Sequence, residues 1–130
     1  MLSKFDNIIE IATINKKMEY PIAELVDRAA IFAIKAENGL QVESQRDLLL
    51  KSVPVSETKN YLELIRIHRL IWTKEEMITV SYTKNDFLAA GKIYKEIREL
   101  NIRRLEIKNS IALRCNGFED RKNFPRLSIS

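Results

Sequence analysis

The chain has 130 residues, 45% hydrophobic and 31% charged, with only three glycines and three prolines, which suits one packed core of long helices better than a many-turned β-fold. Cys115 is the only cysteine and His68 the only histidine, which excludes an internal disulfide, a thiolate zinc cluster and a two-histidine metal site. The net charge of +4 is spread along the chain and interleaved with acids, as in Lys95-Glu96 and Arg98-Glu99, which argues against nucleic acid as a partner.

Asp6 is placed to cap a first helix that turns Ile8, Ile11, Ile14 and Met18 to one side. Tyr20-Pro21 ends it, because the residue before a proline resists the α region, and Pro21 suits the start of the next helix. That helix runs from about Pro21 to Glu37, with Ile22, Leu25, Val26, Ala29, Phe32, Ala33 and Ala36 on a broad apolar face. The strip Ala29, Ala30, Ala33 permits close helix approach, and Asn38-Gly39 supplies a left-handed stop. A shorter helix is expected over Glu43–Ser52, then a break at Val53-Pro54-Val55, with Ser56 capping a long helix to about Ile78. Thr79 to Thr83 reads as a loop, β-branched but without a partner strand. Asn85 or Asp86 caps the last long helix, from Phe87 to about Leu113. The expected fold is all-α, an antiparallel bundle of four to five helices over residues 1–115, followed by a mobile tail at 116–130 unless Phe118 and Phe124 dock. No apolar h-region follows Met1, and no run approaches the roughly 18 residues that span a bilayer, so the reading is cytoplasmic with no membrane contact.

Two long seams carry the candidate chemistry. On the last helix Ile93, Ile97, Leu100, Arg104, Ile107 and Ile111 follow a four-three rhythm that Arg104 interrupts. A guanidinium on a seam needs a carboxylate or carbonyl to meet it, so Arg104 is either a structural clamp or part of a binding strip with Asn101 and Lys108. If the chain turns back around Tyr82–Thr83, Glu63 lies level with Arg103–Arg104, whereas Glu75 lies roughly 20 Å away along the axis. Asp27 is a second acid able to turn inward and meet a base, while Glu24 and Arg28 suit a surface pair. The preceding seam is Tyr61, Leu64, His68, Ile71, Glu75, Ile78, and there His68, Trp72 and Glu75 share a face. A histidine beside a carboxylate can do acid–base work, but without a nucleophile nearby a hydrogen-bonded His68 and a packed Trp72 is the plainer account. Phosphate loops, HExxH, GxSxG and Cys-x-x-Cys are all missing from the sequence, and Cys115 reads as an inert, partly buried thiol.

Several of these residues also resemble an uncharacterised family of small bacterial helical proteins. Glu24-Leu25-Val26-Asp27-Arg28 with Ile31, Ile34, Lys35 and Glu37 is similar to its first signature, and Trp72-x-x-Glu75-Glu76 to its Trp-x-x-Glu-Asp segment. Leu100-Asn101-x-x-Arg104-x-x-x-Lys108-x-x-Ile111 is similar to its closing helix, so the likeness spans about residues 21 to 112. His68 stands where the family usually has Asn, and Thr79 where it usually has Arg. The family brings no established activity; its members tend to occur beside carbohydrate and surface-polysaccharide enzymes.

The expectation is therefore a non-enzymatic helical protein that binds or scaffolds a protein partner, with no catalytic residues, metal or cofactor. It is expected to pair as a homodimer, with Trp72 and Tyr82 as anchors if they lie on a free face. The alternative is a small-molecule enzyme or sensor, with Asn101, Arg104, Lys108, His68, Trp72 and Glu75 gripping an anionic ligand such as a sugar nucleotide. A third reading is nucleic-acid binding through Arg98, Arg103 and Arg114.

Overall fold

In the computed structural model, residues 21–115 are described. The helix expected from Asp6 and the tail at 116–130 lie outside them. Four α-helices make up the described residues: α1 (Ile22–Glu37), α2 (Glu43–Leu50), α3 (Thr58–Thr83) and α4 (Phe87–Cys115), with one 3-10 turn at Val55–Glu57. The fold is an all-α bundle, as the periodicity predicts, and no helix among the described residues is long and apolar enough to cross a membrane.

The turns follow from a few residues. Gly39 takes φ +87, and the amides of Gly39 and Leu40 return to the carbonyls of Ala36 and Lys35, which closes α1 in a Schellman motif. Asn85 repeats this device at the end of α3 with φ 59, the amides of Asn85 and Asp86 returning to Tyr82 and Ser81. Asp86 then caps α4, accepting the Ala89 amide at 3.1 Å.

Three boundaries differ from the expectation. α2 stops at Leu50 rather than Ser52. Ser56 is no cap: it sits inside the 3-10 turn, and Glu57 occupies the N-cap position of α3 without a side-chain cap bond. Thr79–Thr83 is helix, not loop. The hydroxyls of Thr79 and Thr83 donate to the carbonyls of Glu75 and Thr79, one turn back, which satisfies them inside a helix and removes their reason to leave it.

α3 and α4 form one long antiparallel hairpin, about 39 and 44 Å long at 1.5 Å per residue. Lys74 bonds Glu96 across it at 3.0 Å, which moves the register about one turn beyond that of a hairpin closing at Tyr82–Thr83. α1 spans only about 24 Å and lies on the proximal part of the hairpin, the end far from the α3–α4 turn. There Ala23, Val26 and Ala30 pack on Leu64 and Ile67 of α3 and on Ile107, Ile111 and Ala112 of α4. The opposite side of α1 presents Leu25, Ala29 and Phe32 to Val42 and to Leu49 of α2. Ala29 and Ala30, both fully buried, let α1 approach its neighbours closely on the two sides. α1 is thus clamped between the hairpin and α2, whereas the distal hairpin has two helices alone among the described residues.

Candidate functional site

The polar centre of the molecule is Asp27, 1% exposed, on the face of α1 that meets the hairpin. His68 Nε2 lies 2.8 Å from its Oδ1. Arg104 donates from Nη2 to Oδ2 at 2.8 Å and from Nε to both oxygens at 3.1 and 3.2 Å. Asn101 Oδ1 accepts from Arg104 Nη1 at 3.2 Å, steadying the guanidinium one turn away on α4. The next rung of the same pairing is Lys108, 4% exposed, which donates to Glu24 Oε1 at 2.6 Å and stands 4.0 Å from Asp27 Oδ2. The rungs repeat because Glu24 and Asp27 are one turn apart on α1, as are Lys108 and Arg104 on antiparallel α4.

Electrostatics favours this pairing. Burial would push the Asp27 carboxyl up, but the hydrogen bonds from His68 and Arg104 and the guanidinium charge outweigh it and hold the carboxyl well below the usual carboxylate range. Asp27 is therefore ionised and accepts only, so His68 carries its proton on Nε2 toward it. Burial would lower the Arg104 pKa; its hydrogen bonds to Asp27 and the carboxylate charge raise it instead. Arg104 and Lys108 are both bonded to carboxylates here, and Arg28 adds a third cation 3.9 Å from Glu24. Asp27, not Glu63, is the acid that meets Arg104; Glu63 bonds Arg66 within α3 at 2.6 Å.

Of the six residues expected to form a binding strip, Asn101, Arg104, Lys108 and His68 converge on Asp27 and Glu24. Trp72 and Glu75 do not. They line a separate groove of about 230 Å³ between α1 and α3, with Ile31, Ile34, Lys35, His68 and Ile71. Trp72 is half-buried against α1 and so is no anchor on a free face. A second groove of about 220 Å³ lies on the α4 side of α1 and shares Ile31 and Lys35 with the first. A carboxylate orienting a histidine is one component of base catalysis, but the groove that His68 borders contains no serine, threonine or cysteine, and Arg104 shares the same carboxylate.

A second buried acid gives no residue-pattern signal in the sequence. Glu57, 2% exposed, accepts Arg114 Nη2 at 2.6 Å and Asn60 Nδ2 at 3.0 Å, tying the start of α3 to the end of α4. Burial would raise its carboxyl, and the bonds from Arg114 and Asn60 lower it. Cys115 is exposed rather than partly buried, at the helix end, and its Sγ lies 3.8 Å from Glu57 Oε2. Partial desolvation and the Glu57 charge push the thiol up, away from a reactive thiolate. Two of the three cations of the nucleic-acid reading have acidic neighbours, Arg114 bonding Glu57 and Arg103 lying 3.5 Å from Glu106 on the surface. Among the described residues, no three His, Cys, Asp or Glu side chains converge as metal ligands would.

The strongest unmet surface is elsewhere, on the distal hairpin. Met77, Val80, Tyr82, Phe87, Leu88 and Tyr94 are all exposed there, Phe87 by 60% and Leu88 by 82%. A groove of about 410 Å³ runs between the helices, lined by Thr73, Glu76, Met77, Val80, Ser81, Ala89 and Ile93. Comparison with protein-family models, curated proteins and solved structures gives no match to this chain.

Proposed function

We propose that this chain is a non-enzymatic, cytoplasmic helical protein that binds or scaffolds protein through the distal half of its hairpin, a second copy of itself included. The observation that carries the reading is the apolar character of that half: Met77, Val80, Phe87 and Leu88 face outward where no described helix covers them. Monomeric proteins rarely leave large contiguous apolar patches bare, and such patches mark protein contacts. The proximal half supports the same reading by subtraction. Arg104, Lys108 and Arg114 are bonded to Asp27, Glu24 and Glu57, so Asn101, Arg104 and Lys108 act as an internal clamp rather than a grip for a sugar nucleotide. On the family resemblance, the setting of this binding is bacterial surface-carbohydrate synthesis.

A photo-crosslinking residue at position 80, used in the native cells, tests the reading. Discrete covalent adducts are expected from position 80 and not from a control at exposed Glu43 of α2. No adduct from position 80, together with a thermal-shift rise from a nucleotide sugar that Arg104→Gln abolishes, would replace it with the ligand reading.

A further inference from the structure

We propose that the distal hairpins of two copies pair face to face, their α3 helices crossing antiparallel at Val80 to complete a four-helix bundle. The inference rests on the protein-binding reading above and names the partner and the contact.

The outward face of α3 repeats the rhythm of its buried seam. Leu70, Thr73, Met77, Val80 and Lys84 follow at spacings of three, four, three and four, which places them on one stripe. Leu70, Met77 and Val80 on this stripe are exposed, and the groove beside it has Ser81 and Ala89 in its lining, small side chains that let another helix come close. α1 lies on the other side of α3, against His68, Ile71 and Trp72, so the stripe has no neighbour among the described residues but α4.

Charge selects the second copy as the occupant. Glu76 borders the stripe one turn before Val80, and Lys84 lies one turn after it. Neither has a charge partner among the described residues, whereas Lys74, Arg66 and Arg69 on the same helix are paired with Glu96, Glu63 and Glu37. In an isologous contact centred on Val80, each residue meets the one equally far on the other side of the centre. Glu76 of one copy then faces Lys84 of the other, and the symmetry makes the pair twice. The same crossing covers Met77 and Val80. A two-helix hairpin with one bare apolar face is marginal in isolation, and two such hairpins supply what each lacks.

Sedimentation equilibrium at micromolar concentration tests this directly. The wild-type chain is expected at twice the 15.2 kDa chain mass. Glu76→Lys and Lys84→Glu each set like charges opposite one another twice, and each alone should weaken the dimer by about tenfold or more. Both positions are exposed, so circular dichroism should be unchanged. An equimolar mixture of the two variants restores opposite charges at both contacts and should return the doubled mass as a heterodimer. A monomeric wild type overturns self-pairing, and so does a dimer that neither substitution weakens or the mixture fails to restore. Such a result alongside adducts from position 80 to a different protein leaves the wider protein-binding reading standing; no adducts at all removes both.

Discussion

The two halves of the α3–α4 hairpin invert the usual placement of polar and apolar side chains. In the proximal half, carboxylates and cations are inside: Asp27, Glu57 and Lys108 are all buried, and each has an opposite charge in contact. In the distal half, hydrophobic side chains are outside, with Phe87 and Leu88 mostly in solvent. A buried ion pair adds little net stability compared with apolar packing, but it tolerates only one arrangement, because any shift strands a charge. The proximal half thereby sets how α1 docks on the hairpin. The exposed apolar half has no such internal address, and its determinants point outward to a partner.

Breaking the proximal address should have the largest effect. Asp27→Ala removes the acceptor for Arg104 and His68 at once and leaves a desolvated guanidinium behind, a loss of about 3–5 kcal/mol in urea unfolding. The pH dependence of the wild type reports the same contact. The Asp27 carboxyl is held below its unfolded value of about 3.9, so its contribution is present in full above that value and is lost as pH falls through it toward the folded value. Unfolding between about pH 5 and pH 2 should show that decline in the wild type. Asp27→Asn, already destabilised, should show a shallower one. Equal slopes for the two would mean that Asp27 is not the ionised hub.

The two halves should also respond differently to truncation of an apolar side chain. Leu64 is fully buried at the junction of α1, α3 and α4, and Leu64→Ala should cost about 2–5 kcal/mol whatever the protein concentration. Val80→Ala removes an exposed side chain and should change the stability of the dissociated chain by no more than about 0.5 kcal/mol. Its effect belongs to association and should appear as a concentration-dependent melting point. If Val80→Ala is as costly as Leu64→Ala in dilute protein, the distal half is an ordinary core and the contrast fails.

Much of this architecture was legible in the residues, and the parts that were not share a cause. The seams of α3 and α4, the Asn38-Gly39 stop and the Asp86 cap are local patterns, each readable within one or two turns of chain. Arg104 announces itself because a guanidinium on an apolar seam demands an acid. Which acid is a question of how a third helix lies across the hairpin, and periodicity within α4 says nothing of that; hence the sequence offers both Glu63 and an inward-turned Asp27, and the packing of α1 makes Asp27 the partner. Glu57 is harder still, since an acid three residues after a proline looks like any solvated turn until Arg114, far along the chain, comes down on it. The helical Thr79–Thr83 shows a propensity overruled, the threonine hydroxyls being absorbed by carbonyls one turn back.

The smallest effect sharpens the comparison at Gly91. It lies inside α4 in the distal half, and a β-carbon built there meets nothing within 4 Å. Glycine in a helix interior is worse than alanine by about 0.5–1 kcal/mol, because its backbone loses more freedom on folding. With no atom in the way, Gly91→Ala should recover that amount and raise the melting point. Gly39 also has open space around its missing β-carbon, but φ +87 reverses the sign there: Gly39→Ala forces a left-handed alanine and should destabilise by about 1–2 kcal/mol. The open environment is the same and only the backbone differs, so the pair isolates conformation from packing. If Gly91→Ala destabilises instead, the distal half of α4 is not limited by helix propensity at that point.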